Sequence, residues 1–248
     1  QIIDELETMP PKMAYAIVQS EVNRRRAGNK IATFYPDEGP LRRELYKKHM
    51  LFFKLGNTCS TRCFMAGNRT GKTEGGGGYE VTLHLTGKYP LWWEGAKFDA
   101  PVRVWVAGKT GKTVRDILQE KLLGPWGRFG TGMIPERDII KWTPKAGIAE
   151  AVDTVTIQHY DIVTGERDGE SRIVFKSYDQ GSKAFEGTEQ EIVWLDEEDD
   201  DDAIRGECIM RLMTTNGLLI ETFTPLKGIT STVMQYLPKG EAPEDGAA

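Results

Sequence analysis

The apolar positions of this chain fall into short runs that are separated by longer stretches of mixed polarity. Short apolar runs bounded by turn residues or polar residues predict buried strands. The strands predicted in this way are Thr61–Ala66, Val102–Ala107, Ile192–Leu195 and Leu218–Thr224. Two further runs, Thr154–Tyr160 and Ser171–Phe175, flank the turn-like stretch Thr164–Gly169 and predict a hairpin.

The stretches between these runs predict helices or irregular structure. Lys109–Leu123 reads as a helix after the second strand, and another helix is predicted after the first. Residues 1 to about 50 predict a polar, helical N-terminal region, in which Leu41–Phe53 forms one helix. Residues 124–150 predict irregular structure, because they are rich in Gly, Pro and Trp. Short apolar strands that alternate with helices predict an α/β fold, with a mostly parallel central sheet flanked by helices.

Composition narrows the class of protein. The chain has 248 residues, of which 39% are hydrophobic and 28% are charged, as is usual for a soluble globular protein. A collagen-like, wholly disordered or disulfide-scaffold chain is thereby excluded. No apolar run approaches the ~18 residues of a membrane span, so we expect no membrane contact. No signal peptide is visible, and the start at Gln1 suggests a processed chain or a fragment.

The charge and the cysteine content indicate neither a nucleic-acid partner nor a metal site clearly. The formal net charge is −5, whereas a strongly basic domain would indicate phosphate backbones. The local basic clusters, which leave nucleic-acid contact open, are interpreted as solvated helical faces; they comprise Arg24, Arg25, Arg26, Arg42, Arg43, Lys47 and Lys48. Cys59, Cys63 and Cys208 form no CxxC pair, so we expect reduced thiols rather than a metal site.

The strongest motif is a glycine-rich loop between the first strand and the helix that follows it. It reads Ala66-Gly67-Asn68-Arg69-Thr70-Gly71-Lys72-Thr73, a P-loop pattern with Ala in place of the first Gly. In such a loop the backbone N–H groups wrap a β-phosphate, and the helix N-terminus adds its positive dipole end. Lys72 would bridge the β- and γ-phosphates and Thr73 would ligate Mg²⁺. The motif therefore predicts a nucleoside triphosphate site.

A second motif lies where the strand Ile192–Leu195 ends in carboxylates. Asp196 follows this buried strand directly, where a carboxylate can anchor a Mg²⁺-bound water. Glu197 can polarise a water for in-line attack on a γ-phosphate, and Glu198 is the alternative base. The rest of the run, Asp199–Asp202, is interpreted as a solvated acidic stretch.

Two weaker motifs add to these. Thr222-Phe223-Thr224-Pro225 ends the last strand, where hydroxyl groups can sense the γ-phosphate and relay its loss. Gly108–Thr113 repeats the letters GKT but fails the P-loop spacing, so it predicts the start of a helix. The basic side chains beside it either face DNA or are solvated; they are Lys109, Lys112 and Arg115.

Together these motifs resemble the ATPase domain of a large terminase subunit, the DNA-packaging motor of tailed double-stranded DNA phages. The resemblance extends from about Phe34 to Val233, and its most specific parts are Arg69 and the Thr222–Pro225 segment. It implies a P-loop NTPase of the additional-strand, catalytic-Glu type, with ATP and Mg²⁺ as cofactors. The implied divisions are a helical lid at 1–55 that contributes to the nucleotide pocket, an ATPase core at 56–237 and a disordered tail at 238–248.

The resemblance also implies residue roles. Lys72, Arg69 and Glu197 would be catalytic, with Arg69 touching the γ-phosphate and Glu197 activating water. Thr73 and Asp196 would hold Mg²⁺, and the loop from Ala66 to Thr73 would bind the nucleotide. Coupling of hydrolysis to movement would fall to Thr222 and Thr224. A segment near the adenine, whose alternative role is core packing, would comprise Tyr46, His49 and Phe52.

Two departures from the family pattern change the expectation. Many terminases carry an Arg before a Gly upstream of the acidic strand, but here Glu186 precedes Gly187. The candidates for an arginine or lysine finger are therefore Arg172, Lys183, Arg205 and Arg211. The nuclease domain of a full large terminase does not fit in this chain, so we expect no nuclease activity.

The resulting hypothesis is an ATP-hydrolysing motor that moves double-stranded DNA into a procapsid. Its implied partners are the DNA, the procapsid portal, a small terminase subunit and copies of itself in a ring. Its implied location is the cytoplasm of an infected host cell, docked on the procapsid. The alternatives are a DExx-type helicase or another ring ATPase, and a nucleotide-binding assembly module without turnover. A two-metal nuclease built on the acidic run is disfavoured, because adjacent residues cannot easily surround two metals.

Overall fold

The computed structural model describes residues 9–16, 28–39, 41–199 and 202–237. Within them the chain forms a seven-stranded sheet with the spatial order β1-β7-β6-β2-β5-β4-β3. The strands are β1 (Thr61–Met65), β2 (Arg103–Gly108), β3 (Ile139–Pro144), β4 (Val152–Tyr160), β5 (Arg167–Ser177), β6 (Ile192–Asp196) and β7 (Leu218–Phe223).

The sheet is mostly parallel. The strands from β1 to β5 in this spatial order all pair in parallel, whereas β4 and β3 are added antiparallel at one side. β7 lies between β1 and β6, so a strand separates the strand before the glycine-rich loop from the strand before the carboxylates. This is the additional-strand order, and the predicted α/β fold is confirmed.

Helices cover both faces of the sheet. The α-helices are α1 (Lys47–Lys54), α2 (Tyr79–Thr86), α3 (Gly111–Thr113), α4 (Glu120–Leu123), α5 (Asp202–Leu212) and α6 (Ser231–Tyr236). Two π-helical segments precede α2 and join α3 to α4; they are Lys72–Gly78 and Val114–Gln119. The 3₁₀ helices are Lys30–Thr33, Arg43–Leu45, Leu55–Asn57, Glu136–Asp138, Tyr178–Gln180 and Ser182–Phe185. Among the described residues, no helix has the length and apolar character needed to span a bilayer.

The apolar residues form one core on each face of the sheet. Trp194 of β6 and Ile220 of β7 belong to the core that contains α2, α4 and the segment between α3 and α4. Their neighbours Leu195 and Leu219 belong to the core that contains α5. Every residue of β6 and β7 is buried, because both faces are covered. This explains why β6 begins with a run of four apolar residues and β7 with a run of three.

Four consecutive glycines let the segment after the glycine-rich loop approach the sheet closely. A Cβ on Gly77 would lie 2.3 Å from the Trp194 ring, and one on Gly76 would lie 2.9 Å from Phe64. Real Cβ atoms do not come so close, so larger side chains would push this segment away from β1 and β6. The glycines therefore set the distance between the loop and the acidic strand end.

The structure corrects the prediction of irregular structure across 124–150. This stretch contains β3, which pairs antiparallel with β4 at the edge of the sheet. Five of its six residues are exposed, so the strand carries no buried alternation that the hydrophobic pattern could reveal. Trp142 packs instead on Trp126 and Phe129, with ring centroids 5.1 and 5.4 Å away.

The described part of the N-terminal region, residues 9–16, 28–39 and 41–50, is less helical than predicted. Residues 11–16 are helical, but Leu41–Phe53 is divided into a 3₁₀ turn and α1 at Tyr46. Tyr46 leaves the helical conformation, with φ −106° and ψ 45°, and its ring packs edge-on against Tyr35. Aromatic packing thus overrides local helix propensity. The Arg24–Arg26 cluster and the predicted tail at 238–248 lie outside the described residues, and the predicted domain boundaries stay predictions.

Candidate active site

The glycine-rich loop (residues 66–73) connects β1 to the π-helical segment, as its motif predicts. Arg69 and Gly71 have φ values of 63° and 85°, in the left-handed region. Both the Gly75 and the Gly76 backbone N–H donate to the Gly71 carbonyl oxygen, at 2.7 and 3.0 Å. Thr70 Oγ1 donates to the Gly67 carbonyl oxygen at 3.0 Å. These contacts turn the backbone within the loop and connect the loop to the start of the π-helical segment.

Lys72 is buried, and its ammonium group joins the loop to the end of β7. Its Nζ donates to Thr224 Oγ1 at 2.7 Å. Thr224 Oγ1 donates in turn to Asn68 Oδ1 at 3.1 Å. A predicted phosphate-binding residue and a predicted coupling residue are therefore in direct contact.

Asp196 stands at the centre of a second set of hydroxyl contacts. Its Oδ1 accepts from Thr73 Oγ1 at 3.0 Å and from Thr222 Oγ1 at 2.6 Å. Trp194 Nε1 donates to Thr222 Oγ1 at 2.8 Å and so fixes that hydroxyl. Burial raises the pKa of Asp196 to about 6. The carboxyl group is still mostly ionised at neutral pH.

The donor set around Asp196 fits Mg²⁺. A hydroxyl and an ionised carboxylate offer hard oxygen atoms, which Mg²⁺ prefers. Among the described residues, no group of three or more His, Cys, Asp or Glu side chains could hold a metal alone. Mg²⁺ is usually held by one or two protein oxygens together with substrate phosphates rather than by an all-protein cage. Thr73 and Asp196 therefore suit an ion that arrives with a nucleotide.

Glu197 is half-buried and has a strained backbone. Its φ is 64°, a region that L-residues other than Gly seldom adopt. Its N–H donates to the Thr222 carbonyl oxygen at 2.8 Å. The Tyr178 hydroxyl donates to the carbonyl oxygens of both Asp196 and Glu197, each at 3.1 Å. Nothing in the sequence singled out Tyr178.

Glu198 is buried and engaged elsewhere. One carboxylate oxygen accepts from the Thr230 hydroxyl, at the N-terminus of α6. Asp202 begins α5, and its Oδ1 accepts from Ser231 Oγ at 3.0 Å. The rest of the acidic run includes residues 200 and 201, which lie outside the described part of the chain. The choice between Glu197 and Glu198 as base stays a prediction.

A cleft of about 880 Å³ opens beside the glycine-rich loop. It is lined on one side by residues 44–49 and on the other by the loop and the end of β7. Tyr46 and His49 line it, as the predicted adenine segment requires. Phe52 does not; its ring stacks on Phe64 at 5.1 Å in the core. Two members of the predicted segment thus face the cleft and the third packs behind it.

His49 also reaches the loop itself. Its Nε2 lies 3.1 Å from the Thr70 carbonyl oxygen, and its Nδ1 lies 2.6 Å from the Tyr35 hydroxyl. Tyr35 donates to the Gly75 carbonyl oxygen at 2.6 Å. Burial lowers the pKa of His49. This link from α1 to the loop and to the glycine segment that follows it was missed from sequence, because Tyr35 is 40 residues away from Gly75.

The four finger candidates are not gathered at the loop. Arg205 Nε donates to Glu221 Oε2 at 3.1 Å, and Arg211 Nη1 donates to the Gly187 carbonyl oxygen at 2.8 Å. Arg172 and Lys183 are exposed. Arg69 is exposed on the loop. The identity of a finger therefore stays a prediction.

The second GKT stretch begins a helix, as predicted. The Thr110 side chain caps α3 by accepting from the Thr113 N–H, and Thr113 Oγ1 accepts from the Thr110 N–H. Lys109 and Lys112 are exposed. Arg115 is bound to Asp116 and to the Ala149 carbonyl oxygen. The three predicted thiols are free.

Comparison with known proteins gives a consistent family. Residues 63–244 match the family model described as terminase large subunit, T4likevirus-type, N-terminal. The chain is 36% identical over 207 residues to the terminase large subunit of Salmonella phage P22; the match covers 77% of this chain and 41% of that protein. It also resembles the large terminase ATPase domain of Thermus phage P74-26, at 16% identity and a TM-score of 0.46, over 70% of this chain and 62% of that one.

Proposed function

The chain belongs to the terminase large subunit family, and we propose that it is an ATP-hydrolysing motor that moves double-stranded viral DNA into a procapsid. The observation that carries this proposal is the pair of side-chain contacts that joins the glycine-rich loop to two strand ends. Lys72 meets Thr224, and Thr73 meets Asp196. The chain spans 41% of the P22 relative, so the activity of the whole protein is part of the proposal.

Nucleotide binding would use the loop and the cleft beside it. The loop N–H groups and the positive end of the following helix would hold the β-phosphate. Lys72 would turn its ammonium group from Thr224 to the β- and γ-phosphates. Tyr46 and His49 line the cleft where the base would lie.

Thr73 and Asp196 would hold Mg²⁺, and Glu197 would do the proton chemistry. Bound Mg²⁺ would neutralise charge on the phosphate oxygens. The Glu197 carboxylate would orient a water toward the γ-phosphorus and accept its proton as the new P–O bond forms. The bond to the β-phosphate oxygen breaks, leaving ADP and inorganic phosphate. Arg69, on the loop, would stabilise charge on the γ-phosphate.

Coupling would begin at the same contacts. When a phosphate engages Lys72, Thr224 would lose its contact with Lys72 and keep its contact with Asn68 on the same loop. Thr222 would stay bound to Asp196. Loss of the γ-phosphate would return Lys72 to Thr224 and so restore the contact between the loop and the end of β7. The two threonines are therefore proposed as the first step from hydrolysis to movement.

The remaining partners are proposed from the resemblance to the family. A ring of copies would let a neighbour supply the arginine or lysine finger, which can be worth about 10³–10⁵ in rate. The procapsid portal and a small terminase subunit would dock the ring in the cytoplasm of an infected cell. The exposed Lys109 and Lys112 are candidates for DNA contact.

The test is the ATP hydrolysis rate, measured with Mg²⁺ at increasing protein concentration for the chain and for Lys72→Ala. We expect turnover that rises faster than linearly, because protomers complete one another's sites. Lys72→Ala should lower turnover by about 10²- to 10³-fold, the usual cost of losing one charge-stabilising donor. Undiminished turnover in this variant would overturn the proposal. Tight nucleotide binding without hydrolysis would favour the assembly-module alternative, and strand separation would favour a helicase.

A further inference from the structure

Glu197 needs outside support for its backbone. Its φ of 64° is in the left-handed region, which is unfavourable for a residue with a Cβ. Such a conformation persists only where surrounding contacts hold it. The direction of the Glu197 carboxylate depends on that backbone, because the side chain leaves from the same Cα.

Two contacts hold this backbone, one on each side of the residue. The N–H donates to the Thr222 carbonyl oxygen at 2.8 Å. On the other side, the Tyr178 hydroxyl lies 3.1 Å from the carbonyl oxygens of Glu197 and Asp196. One hydroxyl hydrogen is thus shared between two successive carbonyl groups. The first contact comes from backbone that any residue supplies, whereas the second depends on one side chain.

Core packing and a local turn fix the position of the Tyr178 hydroxyl. Tyr178 is buried beneath the strand end, in the same apolar core as Trp105, Phe185 and Leu195. It begins the 3₁₀ turn Tyr178–Gln180 directly after β5, and Gln180 Oε1 accepts from the Ser177 N–H at 3.0 Å. A phenol is protonated at neutral pH, so its hydroxyl is a donor.

We propose that Tyr178 is a positioning residue for Glu197: its hydroxyl fixes the backbone at Asp196 and Glu197, and so aims the carboxylate at the attacking water. The inference rests on the proposed function, because it needs Glu197 to be the base. The Tyr178 hydroxyl binds Asp196 and Glu197 rather than the glycine-rich loop, and Tyr178 is not among the residues that line the cleft. Its loss should therefore lower kcat and leave nucleotide affinity unchanged.

A merely structural hydroxyl would behave differently. If Tyr178 only satisfied buried carbonyl groups, its removal would lower the free energy of unfolding and leave kcat per folded molecule unchanged. Tyr160 offers a matched control, because it ends β4 on another part of the sheet and its hydroxyl donates to Asp138 Oδ1, just before β3, at 3.1 Å. Tyr160→Phe removes the same group with no route to Glu197.

The experiment compares Tyr178→Phe, Tyr160→Phe and Glu197→Gln with the unmodified chain. Steady-state ATP hydrolysis gives kcat, and titration with ADP gives affinity. We expect Tyr178→Phe to lower kcat by about tenfold, since small misplacements of a catalytic group cost one to two orders of magnitude. ADP affinity should stay within about twofold, and Tyr160→Phe should match the unmodified chain.

A second variant covers the case in which Tyr178→Phe does not fold. Gln180→Ala changes an exposed residue, keeps the phenol and loosens the turn that carries it. It should lower kcat by about threefold at unchanged ADP affinity. Equal kcat in Tyr178→Phe and Tyr160→Phe, while Glu197→Gln is inactive, would overturn the positioning role alone. Full turnover in Glu197→Gln would overturn the proposed function and this inference together.

Discussion

The glycine-rich loop and the acidic strand end (Asp196–Glu198) lie at the same edge of the sheet but are held in place differently. Each contains a residue with left-handed backbone, Arg69 in the loop and Glu197 in the strand end. The loop is tied by side chains from separate elements, through Lys72 to Thr224 and through Thr70 to His49. Glu197 is tied through its backbone. The loop should therefore tolerate loss of one contact, whereas the strand end should not.

The largest effect that separates the two regions is expected from Glu197→Gln. The amide keeps the size of the side chain but cannot accept the proton from water. General-base catalysis typically contributes about 10²–10⁴-fold, so turnover should fall by that factor. ADP affinity should be unchanged, because the loop and Lys72 are untouched. Single-turnover hydrolysis and ADP titration measure the two quantities separately.

Glu198→Gln is the matched variant for that experiment. Glu198 is already bound by Thr230, so we expect a small change in turnover. If Glu198→Gln were the inactive variant and Glu197→Gln the active one, the base would be Glu198. The catalytic carboxylate would then be held by Thr230 at the N-terminus of α6 rather than by its own backbone.

The sequence allowed the proposed phosphate- and metal-binding residues to be placed together, but it did not reveal the residues that contact their backbone. Lys72, Thr73 and Asp196 could be predicted because the loop spacing and the strand terminus constrain them locally. Tyr178 and Tyr35 act across 19 and 40 residues of chain on backbone carbonyl groups. A tyrosine that binds a distant carbonyl group has no local pattern, so only the fold reveals it.

Burial also decides which strands and helices could be predicted from the sequence and which could not. β6 and β7 were predicted because burial on both faces leaves each of them with an unbroken run of three or four apolar residues. β3 was missed because its residues are nearly all exposed, and its aromatic partner Trp126 lies in a loop. The break at Tyr46 follows from packing against Tyr35, which no helix propensity records.

A smaller effect is expected from Gly77→Ala, which tests whether the glycines set the distance between loop and strand end. The new Cβ would meet the Trp194 ring at 2.3 Å, so the free energy of unfolding should fall by about 1–3 kcal/mol. Because Trp194 also orients Thr222, turnover should fall as well. Urea unfolding and ATP hydrolysis on the same samples measure both effects.

The control for that variant is Gly206→Ala in α5. A Cβ there meets nothing within 4 Å, so helix propensity alone should act and raise the free energy of unfolding by about 0.5–1 kcal/mol. Equal destabilisation by both substitutions would mean that the close approach of Gly77 to Trp194 contributes nothing.

The smallest effect concerns His49, which ties α1 to the loop. Burial lowers the pKa of His49 below its usual value, so the unfolded chain binds a proton at a pH where the folded chain does not. Stability contributed by this group is therefore present above the unfolded pKa of about 6.5 and is lost as pH falls below it. The loss is at most about 1.4 kcal/mol per pH unit. Burial lowers the pKa of His84 as well, so it adds to the same slope.

His49→Gln isolates the His49 part of that slope. The amide can still donate to the Thr70 carbonyl oxygen, but it does not titrate. Urea unfolding between pH 7.5 and pH 5 should therefore give a shallower loss of stability than in the unmodified chain. Since the loop has other ties, through Lys72 and Thr224, turnover at pH 7.5 should change by less than about threefold. Equal pH slopes in the two proteins would mean that titration of His49 does not contribute to stability. A large loss of turnover would mean that the loop depends on its contact with His49 alone, as the strand end depends on few contacts.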